Sequence, residues 1–390
     1  MKTGIRKSRR IIAAFMLAVF WYPLLSCSSE DKADDRKVPT GTSPAHETQA
    51  PEPEISLLLS TFLSPTSKAE FSELWEPATD SAGNIIVAGM GDFSGLQDEG
   101  GALPGVQVKI FDANEKLDTS SFFVIKLTKT GKPVWIAVLD GTGPERQLDG
   151  LDLDSADNIV ISGTTQNPDF PTTAGAFDTS INSTGNWPHS GDAFVAKISA
   201  DGSRLLFSTF LGGKTGDSTS RGGVTVANND SIYVVGHTKA SDFLQNPDSG
   251  AEVPVRQGYH GGIGDGFVLR LSADGSKVDW VTFIGSATEK VHGDVVVGLD
   301  IGPGNKPYIA ALVRGNDLPT TEGVHSRTYS GGISDAYAAR LSPDGQLEWA
   351  TYIGSSGEDN PEHGVRVDNA GNMVFSGETF SSDWPVVNAN

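Results

Sequence analysis

Apolar residues in this chain come in short runs cut by Gly, Asp and Asn, and residues 191–237 set the pattern. GDAFVAKISADGSRLLFSTFLGG followed by GGVTVANNDSIYVVGH holds four such runs. Runs of this length bounded by turn residues predict strands, and four with local connections predict one antiparallel unit. The same text returns along the chain, so the unit is a repeat of about 70 residues.

Four strand classes recur. An A-F-V class reads 122–128 (FFVIKLT), 193–199 (AFVAKIS), 266–272 (GFVLRLS) and 336–342 (AYAARLS). A Gly-containing hairpin turn joins each to an S-T-F-L class at 134–139, 205–211, 278–284 and 347–353, and the same class opens the series at 56–63, with Phe62, Phe210, Phe283 and Tyr352 in register. A looser connection leads to a pre-turn strand at 151–154, 224–227, 297–301 and 365–368. Tight turns such as DSAGN, DSADN and DNAGN then feed a post-turn strand at 85–89, 159–163, 232–236, 308–313 and 373–377. Asp and Asn suit those turns because their side chains bond backbone two residues on. In the first copy Glu76-Pro77-Ala78 interrupts the pre-turn strand and 92–120 is an insertion.

Four locally joined antiparallel strands cannot bury both faces of their own sheet, and radial stacking of successive sheets does so. The expected fold is therefore all-β, a β-propeller of about five four-stranded antiparallel blades. A flat solenoid is the alternative, disfavoured because solenoid repeats run below about 50 residues.

The D-A-F-V-A-K-I-S run, S-T-F-L-G-G, D-S-A-G-N and Asp169-Phe170-Pro171-Thr172-Thr173 resemble the bacterial seven-bladed propeller repeat family SBBP over most of 55–390. The resemblance implies a propeller in a surface or secreted setting and no particular reaction. It also implies that the pre-turn strand is innermost and the S-T-F-L strand outermost. On that plan 56–63 joins a final blade, and the last blade is incomplete because the chain stops after Asp383-Trp384-Pro385, before another A-F-V strand. The expectation is a truncated product.

Composition adds an address. Lys2, Arg6, Lys7, Arg9 and Arg10 precede an apolar stretch at 11–25 that is short for a membrane span, and Leu24-Leu25-Ser26-Cys27 resembles a lipobox. Residues 1–27 thus read as a lipoprotein signal peptide and Cys27, the only cysteine, as the lipidation site; the competing readings are a signal anchor and an ordinary secretory peptide. Two or three acyl chains hold a protein to a bilayer in a way that one does not. Ser28 in place of an Asp leans toward the outer membrane over the inner. Residues 28–54, rich in Ser, Thr, Pro, Glu and Asp, predict a disordered tether reaching on the order of 30 Å. The formal charge of -20 argues against nucleic acid as a partner.

The longer connections, 141–150, 212–223, 285–294 and 354–364, define a ligand face carrying Glu145, Arg146, Asp217, Arg221, Glu289, Lys290, His292, Glu358, Asp359 and His363. Carboxylates and imidazoles around one mouth are donors for calcium or a transition metal. A solvated acidic rim is the competing reading, since His292 and His363 sit at inequivalent repeat positions; no cofactor is assigned. Asp192, Asp265 and Asp335, each opening an A-F-V strand, are expected to accept loop backbone N–H groups. Asp149, Asp152, Asp154 and Asp157 lack the spacing of a calcium loop and read as strand and turn residues. Gly216-Asp217-Ser218 lacks the glycines of a serine-protease signature, and neither a G-x-S-x-G elbow nor a P-loop is present.

Noncatalytic recognition of an envelope glycan or protein is the function these features favour. A polysaccharide hydrolase or lyase using carboxylates of the long-loop face is the second reading. A structural spacer is the third.

Overall fold

The structure is a computed structural model that describes residues 16–20, 57–62, 70–75, 77–93, 106–111, 120–139, 145–183, 191–245, 247–288 and 292–384. Every regular element among them is a strand. The chain divides into two compact units, Met1–Ser64 and Pro65–Asn390.

In the first unit β1 (Met16–Phe20) pairs antiparallel with β2 (Leu57–Phe62). This differs from the expectation that 56–63 joins the repeat sheets. An S-T-F-L strand pairs with an A-F-V strand throughout the second unit, and Met16-Leu17-Ala18-Val19-Phe20 is apolar text that serves as such a partner.

The second unit is a series of sheets in chain order. The first holds β3 (Glu70–Leu74), β4 (Ala78–Thr79), β5 (Ile85–Asp92), β6 (Gln107–Phe111), β7 (Ser121–Leu127) and β8 (Pro133–Leu139). Both β3 and β4 pair with β5, so the proline-bearing interruption splits one strand into two pieces. The second holds β9 (Glu145–Leu153), β10 (Ile159–Thr165), β11 (Asp192–Ile198) and β12 (Leu205–Leu211), hydrogen-bonded in that order. The third holds β13 (Asp217–Val226), β14 (Ile232–Thr238), β15 (Val255–Gln257), β16 (Asp265–Leu271) and β17 (Val278–Ile284). The fourth holds β18 (Val295–Gly302), β19 (Lys306–Val313), β20 (Asp335–Leu341) and β21 (Leu347–Ile353); β22 (Asp359–Val367) and β23 (Met373–Thr379) make a two-stranded fifth.

Two outer strands escape the repeat pattern. Both β6 and β15 lie parallel to the S-T-F-L strand beside them, β8 and β17. Both belong to stretches that the sequence alone presents as an insertion or a loop.

The pre-turn strands are also longer than their text suggests. Gly222 and Gly223 look like loop, yet they form part of a bulge in β13, where the register with β14 shifts between Thr219 and Val224. The extra residues on the bulged strand bend it without ending the ladder.

Cores lie between sheets. Phe122, Trp135, Ile161, Phe194 and Phe210 fill the space between the first and second sheets. Val195, Phe207, Val234, Phe267 and Phe283 fill the next, and Tyr233, Trp280, Ile309, Tyr337 and Tyr352 the one after. Each such fully buried side chain contributes roughly 2 kcal/mol. The pre-turn strands run side by side through the series, β9 against β13, β13 against β18, and β18 against β22.

The tight turns repeat one device. Asp80 Oδ1 accepts the Ala82 and Asn84 N–H groups at 3.0 and 2.7 Å, and Asn84 Nδ2 donates to Oδ2 at 2.9 Å. Asp154 and Asp368 do the same. The left-handed position falls on Gly83 and Gly371, and on Asp157 at φ 60. A cation from the A-F-V strand completes the device: Lys126 pairs with Asp80 at 2.8 Å and Lys197 with Asp154 at 2.6 Å.

Candidate functional site

Three of the candidate residues occupy one position of the repeat. Glu145 pairs with Thr165, Asp217 with Thr238 and Asp359 with Thr379, each opening a pre-turn strand. They therefore sit in strands, not in the loops the sequence suggests. Asp217 and Asp359 are buried and occupied. Asp217 accepts from the Gly213 N–H at 2.7 Å and from the Thr238 hydroxyl. Asp359 accepts from the Ser355 N–H at 2.7 Å, from Ser381 Oγ at 2.9 Å and from the Thr379 hydroxyl. Asp294 stands in the same place of the fourth sheet and accepts the Arg314 N–H at 2.6 Å.

Each of these carboxylates adjoins a second buried one. Asp217, Asp294 and Asp359 donate their backbone N–H to Gly191, Gly264 and Ser334, the residues just before Asp192, Asp265 and Asp335. Those three accept loop N–H groups, as their position at the start of an A-F-V strand suggests: Asp192 from Asn182 and Ser183, Asp265 from His260, and Asp335 from Ser330. Burial pushes the Asp192 and Asp335 carboxyls up to about 6, and for Asp335 the charge of Asp359 adds to it. Burial also raises Asp217 well above its ordinary value, with the charge of Asp192 adding. These pairs build the loops, and Asp217 and Asp359 are not solvent-facing acids or bases.

The other candidates are spread out. Glu358 is half-buried and accepts from Asn360 Nδ2 at 3.1 Å, and His292 is exposed. Arg146, Arg221 and His363 lie in β9, β13 and β22, where only the backbone is described. Glu289, Lys290 and Cys27, like the rest of the lipobox and the tether, lie outside the described residues. Among the described residues no group of three or more His, Cys, Asp and Glu side chains converges, so the calcium reading finds no donor set there.

The structure brings other residues together. A cavity of about 270 Å³ opens where pre-turn strands of all five sheets meet, lined among others by Trp75, Asp152, Thr225, Asp300 and Arg366. Asp152 Oδ2 accepts the Val226 N–H of the next sheet at 2.7 Å, and Asp300 Oδ2 accepts the Val367 N–H at 2.7 Å. Each also takes the N–H of its own successor, Leu153 and Ile301, at 2.8 Å. Burial raises the Asp152 carboxyl, with the charge of Asp300 adding and Arg366 opposing. The cavity thus offers one indole, two half-buried carboxylates with acceptor capacity left, and one exposed guanidinium. The shared text Leu151-Asp152-Leu153 and Leu299-Asp300-Ile301 was the available signal: an Asp inside an otherwise apolar strand.

One nucleophile-and-base pair also appears. Ser218 Oγ lies 2.8 Å from His237 Nδ1 across β13 and β14. Burial, with the charges of Lys239 and Arg314, pushes His237 down to about 4, so the imidazole is neutral near pH 7. No carboxylate is hydrogen-bonded to it among the described residues, so the third member of a triad is missing.

No family model matches the chain, and no curated protein matches it. Among solved structures it is similar to a protein of unknown function from Bacteroides caccae, at 12% identity and a TM-score of 0.33 over 76% of this chain and 71% of the other. It is also similar to a PL25 ulvan lyase bound to -[GlcA(1-4)Rha3S]-, at 11% identity and a TM-score of 0.39 over 79% of this chain and 63% of that one. The chain therefore spans less than two thirds of the lyase. Similarity at this level establishes neither a shared fold nor a shared chemistry.

Proposed function

We propose that this chain is an exported, lipid-anchored β-propeller of the SBBP kind, held at the outer membrane through Cys27, and that it recognises an envelope glycan without cleaving it. The observation that carries the glycan reading is the cavity shared by the five pre-turn strands. An indole stacks on the apolar face of a sugar ring, and fixed carboxylates with a guanidinium bond its hydroxyls. The face-to-face sheets and the series of neighbouring pre-turn strands support the propeller. The cleavage reading loses weight because Asp217 and Asp359 are committed to their own loops.

Envelope polysaccharide titrated into the full chain tests this. Saturable quenching of tryptophan fluorescence with no increase in reducing ends or unsaturated products is the expected result. Product release would establish the enzyme instead, and no binding at all would leave a spacer. Detergent phase partitioning lost in Cys27→Ser is the expected signature of the anchor.

A further inference from the structure

The shared cavity is ringed by one register of the repeat. Ala78, Asp152, Thr225, Asp300 and Arg366 all line it, and they stand opposite Ile86, Val160, Tyr233, Tyr308 and Val374 of the post-turn strands. The first four of those partners lie in turn opposite the A-F-V cations Lys126, Lys197, Arg270 and Arg340. Arg366 precedes Asp368 of its turn by the same step that separates Asp152 from Asp154, so the register holds in the fifth sheet too.

Packing does not require an acid at this register. β4 lies against β9 with Ala78 there, and β13 lies against β18 with Thr225 there. Asp152 and Asp300 do clamp the Val226 and Val367 N–H groups, but each of their oxygens takes a single backbone bond and keeps a second acceptor site. Among the described residues that line the cavity, these two carboxylates face one guanidinium, which leaves one negative charge in excess in about 270 Å³.

The order of the strands places that excess. The two acids flank Thr225, with Trp75 and Ala78 on the far side of Asp152 and Arg366 on the far side of Asp300. Burial and the charge of Asp300 raise the Asp152 carboxyl in spite of Arg366, so a cation between the two acids is attracted more strongly than it would be in water.

We propose that the cavity selects a cationic sugar, whose free amine lies between Asp152 and Asp300 while Arg366 bonds a neighbouring hydroxyl. This rests on the glycan reading of the same cavity and names the class of glycan. A hydroxyl in place of the amine keeps a hydrogen bond and leaves the excess charge unmatched. A uronate or a sulfate meets two carboxylates and is repelled.

The test titrates the full chain calorimetrically, just below neutral pH, with a fully deacetylated chitosan tetramer and with cellotetraose. The two share one backbone and differ in carrying an amine or a hydroxyl at the same ring carbon. The chitosan tetramer is expected to bind about tenfold more tightly, with the preference shrinking at high salt. Asp300→Asn keeps an acceptor for the Val367 N–H and is expected to reduce the preference to about twofold. Equal affinity for the two tetramers, or a preference that persists both in Asp300→Asn and at high salt, would overturn the proposal and leave the glycan reading standing. Envelope polysaccharide binding while neither tetramer binds would do the same. Failure of all three to bind would overturn the glycan reading and this proposal with it.

Discussion

Two sets of carboxylates lie on the pre-turn strands and have different fates. Asp217 and Asp359 open their strands, are buried, and spend their oxygens on the loop and on a neighbouring Thr hydroxyl. Asp152 and Asp300 lie near the other end, clamp the next sheet through one backbone bond each, and still face a cavity. Residue type is identical in the two sets, and depth and register decide the role. A carboxylate repeated at one register in several sheets is building the repeat, while its chemistry becomes available only where sheets converge on open space.

The largest expected effect separates the sets by stability. Asp359→Ala leaves the Ser355 N–H and two hydroxyls without their acceptor, and a loss of about 3 kcal/mol is expected from the urea midpoint. Asp300→Asn keeps an acceptor for Val367 and is expected to cost under about 1 kcal/mol in the same measurement.

Acidity sharpens the contrast. Asp192 and Asp335 titrate near 6 in the folded chain against an ordinary value of 3.8, so the stability they contribute is fully present below about pH 4 and is lost as pH rises through 6. His260, raised by its bond to Asp265, acts in the same direction around its own higher range. Asp80, lowered to about 2 by Lys126 and Asn84 against the opposing effect of burial, has the opposite sign and loses its contribution as pH falls from about 4 to 2. Thermal melts are therefore expected to rise from pH 7 to about 4.5, on the order of 2 kcal/mol per raised carboxylate, and to fall below pH 4. A melt that only falls on acidification would break the account of the buried pairs.

The smallest effect is at a surface pair. Lys306 and Arg340 both contact Glu348 at 2.8 Å with partial exposure, and Glu348→Gln is expected to cost no more than about 0.5 kcal/mol, tested by the same melts at low and high salt.

Much of the fold was legible because its signals are local. The A-F-V and S-T-F-L strands, the Asp-to-Asn turns and the role of Asp192, Asp265 and Asp335 all follow from residues within one repeat. What stayed hidden depends on distance or on ambiguous glycine. Gly222 and Gly223 read as loop and belong to a bulged strand, which moved Asp217 from a rim to the interior. The parallel partners of β6 and β15 are set by tertiary packing. The cavity is assembled from residues as far apart as Trp75 and Arg366, so no window of sequence contains it.

Calorimetric titration of envelope polysaccharide into the full chain and into Arg366→Ala bears most directly on the claim that the shared cavity is the binding site. Arg366 is exposed, so its loss leaves the sheets intact, and a weakening of roughly tenfold is the expected result. Binding equal to that of the unaltered chain, or a heat trace showing turnover, would contradict it.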